Sequence, residues 1–396
     1  MRNRRPLLII FLIIFVNLLG FGIIIPLLPF YADHVGATPF QIGLLFASYS
    51  ICQLLATPIL GNLSDRYGRR PILLLSLLGT VVSFVLLAVA NSLWLLFASR
   101  IIDGLSGGNI STARAYISDV TEKEERAQAF GLIGAAFGLG FIFGPALGGL
   151  LGKLSYSAPA WAAAGLAFVA LVLTWVGLPE SHHRVKVATP SLRRDLPRLL
   201  RRPTLGTLLL VNLLLWTSLA VYETTFALFG KYRFGFGITE VGYILALAGL
   251  IGAIIQGGLV GLFTRRFGEQ PVLAGGLLLT SLGLGVASLV HTVPVFVVAI
   301  VVASVGAALA HPTLIALISH TADPQEQGSV HGISGALGSL GRTVGPVWGN
   351  SFLEFFGEGV AFFSAAAVVF GLALIAGRLA TRQPVLGKQE AISGVE

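Results

Sequence analysis

Charge is scarce in this chain. Asp, Glu, Lys and Arg make up 11% of 396 residues, against 55% hydrophobic residues and a mean hydropathy of +0.85. A soluble domain carries roughly a quarter charged residues, so a soluble fold is excluded and an integral membrane protein is expected. Cysteine occurs once, as Cys52 inside an apolar run, which excludes a disulfide framework. A phosphate-binding GxxxxGK[ST] loop is missing, as is a polar stretch long enough for a nucleotide-binding domain, so no enzyme is expected. The short strands of alternating polarity that build a membrane β-barrel are missing too.

Long apolar runs are there instead. A bilayer core about 30 Å thick needs roughly 20 helical residues per crossing. Runs of that length lie near residues 7–30, 40–60, 71–90, 93–118, 127–151, 158–178, 204–230, 239–260, 271–290, 293–318, 327–351 and 358–378, which predicts an all-α protein with twelve transmembrane helices. The first run follows Arg2, Arg4 and Arg5, as in a signal peptide, but it is too long for one and reads as the first span.

With a cytoplasmic amino terminus, 20 of the 26 lysines and arginines fall in cytoplasmic segments, leaving only Lys153, Lys231 and Arg233 on the other face. Both termini are therefore expected on the cytoplasmic side of an inner membrane. The net charge of +8 reads as topology and contact with anionic lipid, without nucleic acid.

The segment 180–203 is the long polar linker between an N-terminal half, 1–179, and a C-terminal half, 204–379, which a tail, 380–396, follows. In the linker Leu192, Leu196, Leu199 and Leu200 alternate with Arg193, Arg194, Arg198, Arg201 and Arg202, predicting a short helix on the inner membrane surface. His182-His183-Arg184 is too small a cluster to predict a metal site.

Internal repetition joins the halves. The charged block Gly61–Pro71 (GNLSDRYGRRP) returns as Gly261–Pro271 (GLFTRRFGEQP). Gly144-Pro145 returns as Gly345-Pro346, and Gln41-Ile42-Gly43 as Glu240-Val241-Gly242. Two similar six-helix bundles around a central cavity is a transporter plan.

These residues carry a resemblance. GNLSDRYGRRP resembles the loop signature between spans two and three of the major facilitator superfamily. Residues 100–108 (RIIDGLSGG) resemble its span-four signature in proton-coupled members, and 138–149 (GLGFIFGPALGG) its span-five antiporter signature. The run 61–152 is most similar to the tetracycline-efflux branch of the twelve-span drug:proton antiporters. The resemblance implies export of small organic molecules by alternating access in a monomer, driven by the proton gradient without a cofactor or metal.

Charges inside spans are costly and face partners or wet cavities. Arg100, Asp103, Glu223 and Arg342 fall at matching depths. Asp103 and Glu223 are the expected proton carriers, with Arg100 and Arg342 as tuning cations; permanent salt bridges that orient helices are the other reading. Arg114 is expected to snorkel or to join Asp119, and His311 reads as a packed polar residue. Asn17, Tyr49, Gln53, Asn109, Tyr116, Trp216, Tyr222, Gln256 and Trp348 are the candidate lining of a cavity for amphipathic molecules.

In the charged block Gly61 and Gly68 allow a close turn, and Asp65, Arg66, Arg69 and Arg70 sit at the membrane edge with Asp119 at the end of span four. The resemblance implies a conformational latch in which Asp65 also faces the amino end of span eleven; topology alone is the plainer reading. Arg265 stands where the second copy would need an aspartate, so the latch is expected to be one-sided. Gly138, Gly144, Pro145, Gly148 and Gly149 read as a hinge or seal, or as ordinary close packing.

Matched to the tetracycline pumps, Asn17, Ser83 and Leu279 stand where those relatives carry acids, and Gly252 where they carry a histidine, while Gln256 agrees. A broader lipophilic drug or metabolite pump is therefore expected. A metabolite or sugar exporter or proton symporter is the alternative transporter, and a non-transporting receptor or scaffold the alternative from another class.

Overall fold

The computed structural model describes residues 5–122, 125–181 and 192–382. Arg2, Arg4, the His182–Arg184 cluster and most of the tail lie outside them. Fifteen α-helices and one π-helical turn fill the described residues, which contain no strand. They are α1 (Arg5–His34), α2 (Pro39–Tyr67), α3 (Arg69–Ala88), α4 (Leu93–Ser106), α5 (Asn109–Val120), α6 (Arg126–Gly152), α7 (Ala158–Gly177), α8 (Leu192–Leu200), α9 (Pro203–Phe234), α10 (Ile238–Ile254), α11 (Val260–Phe267), α12 (Glu269–Leu289), α13 (Val293–Thr321), α14 (Gln327–Phe356) and α15 (Glu358–Arg382).

Ten helices are long and apolar enough to cross a membrane, with α10, the π turn Ile255–Leu259 and α11 forming one of them. The predicted fourth and eleventh spans are not among the ten. The fourth is broken at Gly107-Gly108 into α4 and α5, each too short to cross alone. The eleventh, α14, is 30 residues long, but polar residues and glycines dilute its apolar character.

The packing repeats itself. The small residues of α6 let it close on α1, where Gly144 meets Gly22 and Gly148 meets the Ile23 carbonyl. Correspondingly, Gly341, Gly345 and Gly349 of α14 close on α9 at Leu213, Thr217 and Val221. These two helices also reach across: α6 packs on α10, and α14 on α2. Gly242 of α10 lies against the Pro145 carbonyl and Gly43 of α2 against that of Pro346, with an added Cβ meeting each oxygen at 2.5 Å.

These contacts gather at the end opposite the charged block. There the Lys231 ammonium pairs with Asp33, and the Phe40 amide donates to Glu354 Oε2 at 2.7 Å. Toward the charged-block end, an added Cβ at Gly61 of α2, Gly134 of α6, Gly261 of α11 or Gly332 of α14 would meet no atom within 4 Å. The two crossing pairs meet closely at one end, and at the other these glycines face open space.

The predicted linker helix forms as α8, but it docks on protein. Leu196 and Leu199 join an apolar cluster with Leu205, Val330 and Ile333. Arg202 pairs with Glu326 at 2.9 Å and with Asp323 at 3.3 Å, Arg198 pairs with Glu326, and Ser329 donates to Asp195 at 2.9 Å. The acidic turn before α14 supplies Arg198 and Arg202 with partners.

Candidate functional site

The four intramembrane charges fall into two groups. On α4, one helical turn brings the Arg100 guanidinium within 3.2 Å of Asp103 Oδ2, both residues being buried. Arg100 also reaches Ser99 Oγ at 3.3 Å and lies 5.9 Å from the centre of the Tyr49 ring.

In the second group Arg342 of α14 lies 4.6 Å above the Trp216 indole of α9 and donates to Ser339 Oγ at 3.4 Å. A cation over an indole face is favourable, more so away from water. Glu223 of α9 is within electrostatic reach of Arg342 without forming an ion pair. His311 of α13 stands edge-on to Trp216 at 4.9 Å, also in reach of Arg342. Tyr49 of α2 joins the groups, because its hydroxyl is within electrostatic reach of Arg100, Asp103 and Arg342 and accepts from Gln53 Nε2 at 2.9 Å.

The remaining lining candidates divide. Asn17, Gln53, Trp216, Tyr222 and Trp348 are half-buried; Tyr222 packs in the aromatic stack of Phe226 and Phe362, and Trp348 on Phe352. Gln256 is exposed on the π turn. Asn109 and Tyr116 are buried to 1% and 0% exposure on α5, which packs against α1, α2, α3 and α6, so neither lines an open cavity. Tyr116 instead donates to the Pro179 carbonyl at 3.0 Å. A separate pocket of about 570 Å³ at the sealed end is bordered by Tyr31, His34, Asn91 and Tyr156, and none of the lining candidates borders it.

The charged block is a network. Arg69 pairs with Asp65 and, at 3.1 Å, with Asp119, and donates to Ser64 Oγ at 2.7 Å. Glu180, read in sequence as the start of a linker, accepts from the Arg69 and Arg70 amides at 2.9 and 3.2 Å and so caps α3. Gly68 makes room for it. Its φ is +106°, and a Cβ there would fall 2.5 Å from Glu180 Oε2. Arg70 donates to the Trp175 carbonyl, while Arg66 lies over Tyr67 at 5.3 Å. Among the described residues Asp65 pairs with Arg69 and not with α14. Arg114 is exposed and does not join Asp119.

The second copy, which has Arg265 in place of the aspartate, carries a different pair. Gly268 repeats the turn with φ +85°, and Glu269 meets His320 Nδ1 at 3.1 Å. Where Arg69 of α3 faces an acid at the end of α5, Glu269 of α12 faces a base at the end of α13. The signs are exchanged, and the pair is ionic only while the imidazole is protonated.

Of the hinge residues, Gly144 and Gly148 face α1, while Gly138, Pro145 and Gly149 lie at the contact between α6 and α10. Pro145 leaves the Phe141 carbonyl without its helical donor, and Gly249 packs against that oxygen. Gly149 meets the Gly242 Cα, and Thr239 Oγ1 donates to the Gly149 carbonyl at 3.0 Å. Gly138 marks where the contact ends, with Ala253 Cβ at 3.5 Å from an added Cβ.

A family model described as Major Facilitator Superfamily matches residues 10–263 and 257–394. The chain is 36% identical over 359 residues to the class C tetracycline resistance protein of Escherichia coli, covering 88% of this chain and 89% of the relative. It is 29% identical to multidrug resistance protein 1 of Bacillus subtilis (strain 168), covering 91% and 93%. Among solved structures, the human organic anion transporter MFSD10 (TETRAN) aligns at 27% identity with a TM-score of 0.70, covering 95% of this chain and all of that one. The nucleoside transporter NupG aligns at 16% identity and a TM-score of 0.81, covering 95% and 100%, a likeness of fold alone.

Proposed function

The chain belongs to the Major Facilitator Superfamily, and from that premise we propose a proton-coupled exporter of small amphipathic organic molecules that works by alternating access. The observation that carries this reading is the buried Arg100–Asp103 pair, with the Tyr49 ring of α2 5.9 Å from Arg100, and Arg342 of α14, the helix that packs on α2, over Trp216. Charges of both signs on α4, α9 and α14, helices that belong to or pack against the α2–α14 crossing, suit a site where proton and substrate compete.

Twelve spans in two six-helix bundles, with α4–α5 as the broken fourth and α14 as the eleventh, would place this site between the bundles. With both termini cytoplasmic, the parted charged-block end faces inward. Glu223 and Asp103 are proposed to carry protons. Arg342 on Trp216 would hold the counter-charge when Glu223 is neutral, and Arg100 would serve Asp103 likewise. Tyr49, Gln53 and Trp216 supply aromatic and amide surface for the cargo. The relatives are a tetracycline and a multidrug resistance protein. Asn17, Ser83, Leu279 and Gly252 provide none of the acidic or imidazole groups that suit a metal chelate, which favours lipophilic drugs. The protein is proposed to act as a monomer in the inner membrane, without cofactor or metal.

A second reading, export of organic anions, is favoured by Arg342, which makes no ion pair among the described residues. The likeness to the human organic anion transporter points the same way. Energised inside-out vesicles presented with the cationic dye ethidium, tetracycline and the anionic dye fluorescein separate the readings. The first predicts protonophore-sensitive uptake of ethidium or tetracycline, and uptake of fluorescein alone supports the second.

A further inference from the structure

Beside the break at Gly107-Gly108, where α4 ends and α5 begins, a groove of about 270 Å³ runs along the lipid-facing wall of the N-terminal half. Leu75, Leu78 and Val82 of α3 share one helix face and form one wall, and Ile102 and Leu105 of α4 form the other. All five side chains are exposed. The floor lies where Gly79 has no side chain and Ser106 closes on α3. Leu60 of α2 also borders the groove and packs against Gly108, with Leu60 Cδ1 at 2.5 Å from an added Cβ.

Water does not suit this space. An ordered water takes about two to four polar partners, and the Ser106 hydroxyl is engaged by the Ile102 carbonyl at 2.8 Å, which leaves the buried Ser76 hydroxyl. An empty groove would forfeit dispersion contacts along its whole lining. For helices that cross a bilayer, the apolar matter at hand is an acyl chain. Toward the charged-block end the groove is followed by charge. Tyr67 stands two turns beyond Leu60 on the same face of α2, about 10 Å along the helix. Arg66 lies over its ring at 5.3 Å, exposed and without an ion pair among the described residues. The neighbouring carboxylate, Asp65, is taken by Arg69. An unpaired arginine and an aromatic ring at the membrane edge suit an anionic headgroup.

We infer that the groove is a binding site for one anionic phospholipid, with an acyl chain between α3 and α4 and the phosphate on Arg66. A chain seated there presses Leu60 onto Gly108 and steadies the break between α4 and α5. Asp103 precedes the break by one turn, and Gln53 of α2 donates to the Gly107 carbonyl at 3.5 Å. A lipid that steadies the break therefore steadies two residues of the candidate site. The binding site rests on no reading of cargo or coupling; its leaflet, the inner one, follows from the inward placement of the charged-block end.

Native mass spectrometry of the purified full chain, titrated in detergent with phosphatidylglycerol or phosphatidylcholine, tests the site without reference to transport. The unaltered protein is expected to hold one phosphatidylglycerol about fivefold more tightly than phosphatidylcholine, and Arg66→Gln to lose that margin. Val82→Trp and Leu105→Trp fill the groove from opposite walls, and each is expected to weaken phosphatidylglycerol binding about tenfold by displacing methylenes. Either one carries the test if the other does not elute as a folded protein. Leu210→Trp makes a like change at an exposed position of α9 and is expected to bind as the unaltered protein does. Binding that ignores the groove tryptophans, or that Leu210→Trp weakens equally, overturns the groove. Phosphatidylcholine held as tightly as phosphatidylglycerol, or a margin that survives Arg66→Gln, overturns the anionic headgroup contact.

Discussion

Gly43 of α2 sits so close to the Pro346 carbonyl of α14 that a Cβ would fall 2.5 Å from the oxygen, and Gly242 meets the Pro145 carbonyl at the same 2.5 Å. The two contacts are copies of one another across the repeat. Together they make the seal at the end opposite the charged block, where backbone meets backbone with no side chain between.

Gly43→Val or Gly242→Val forces these backbones apart, at a cost of about 1–3 kcal/mol by overpacking. Spin labels placed at positions 61 and 332 in a Cys52→Ser background report the charged-block ends of α2 and α14. Each valine variant is expected to shorten that distance as the sealed end opens. An unchanged distance distribution in both contradicts the role of these glycines.

Glu354 places a carboxylate on the amide of Phe40 in the first turn of α2. A charge at a helix amino end contributes about 0.3–1 kcal/mol. Glu354→Gln is therefore expected to shift the two-state population only a few-fold by the same labels. Adding Asp33→Asn, which removes the partner of Lys231, is expected to enlarge the shift.

Arg69 holds Asp65, Asp119 and Ser64 at once. Removing one partner of a buried charge network costs about 3–5 kcal/mol where the charges left behind are buried. Asp65 is partly exposed, so the lower end applies. Arg69→Ala should lower the Tm in detergent clearly, and Arg69→Lys by less, since one ammonium reaches fewer acceptors than a guanidinium fork.

His320 and Glu269 form the sign-exchanged copy. His320→Ala removes the partner of Glu269, whereas His320→Lys keeps a cation there. Hydrogen exchange at the start of α12 is expected to be faster in His320→Ala than in the unaltered protein, and to return toward the original rate in His320→Lys.

The repeat made much of this legible in sequence. Gly68 and Gly268 take the same positive φ because the same turn is built twice, and the matched Gly43, Gly242, Pro145 and Pro346 meet because duplicated halves pack crosswise. The Arg100–Asp103 pair followed from helical spacing alone. Contacts between distant segments did not. Glu180 caps α3 from 110 residues away, Glu354 reaches Phe40 across the whole chain, and Asp323 and Glu326 claim the linker arginines. That Asn109 and Tyr116 are buried was not legible, because helical polarity does not tell a cavity wall from a packed interior. His311, read as a packed polar residue, packs edge-on against Trp216; that partner was not legible because it comes from another helix.

Proton-coupled export is tested most directly in proteoliposomes with an imposed pH gradient and ethidium or tetracycline as cargo. The account predicts that cargo moves against the direction of proton flow, that a protonophore abolishes the movement, and that Glu223→Gln loses it while still binding cargo. Cargo moving with the protons, or unchanged uphill transport in Glu223→Gln, contradicts it.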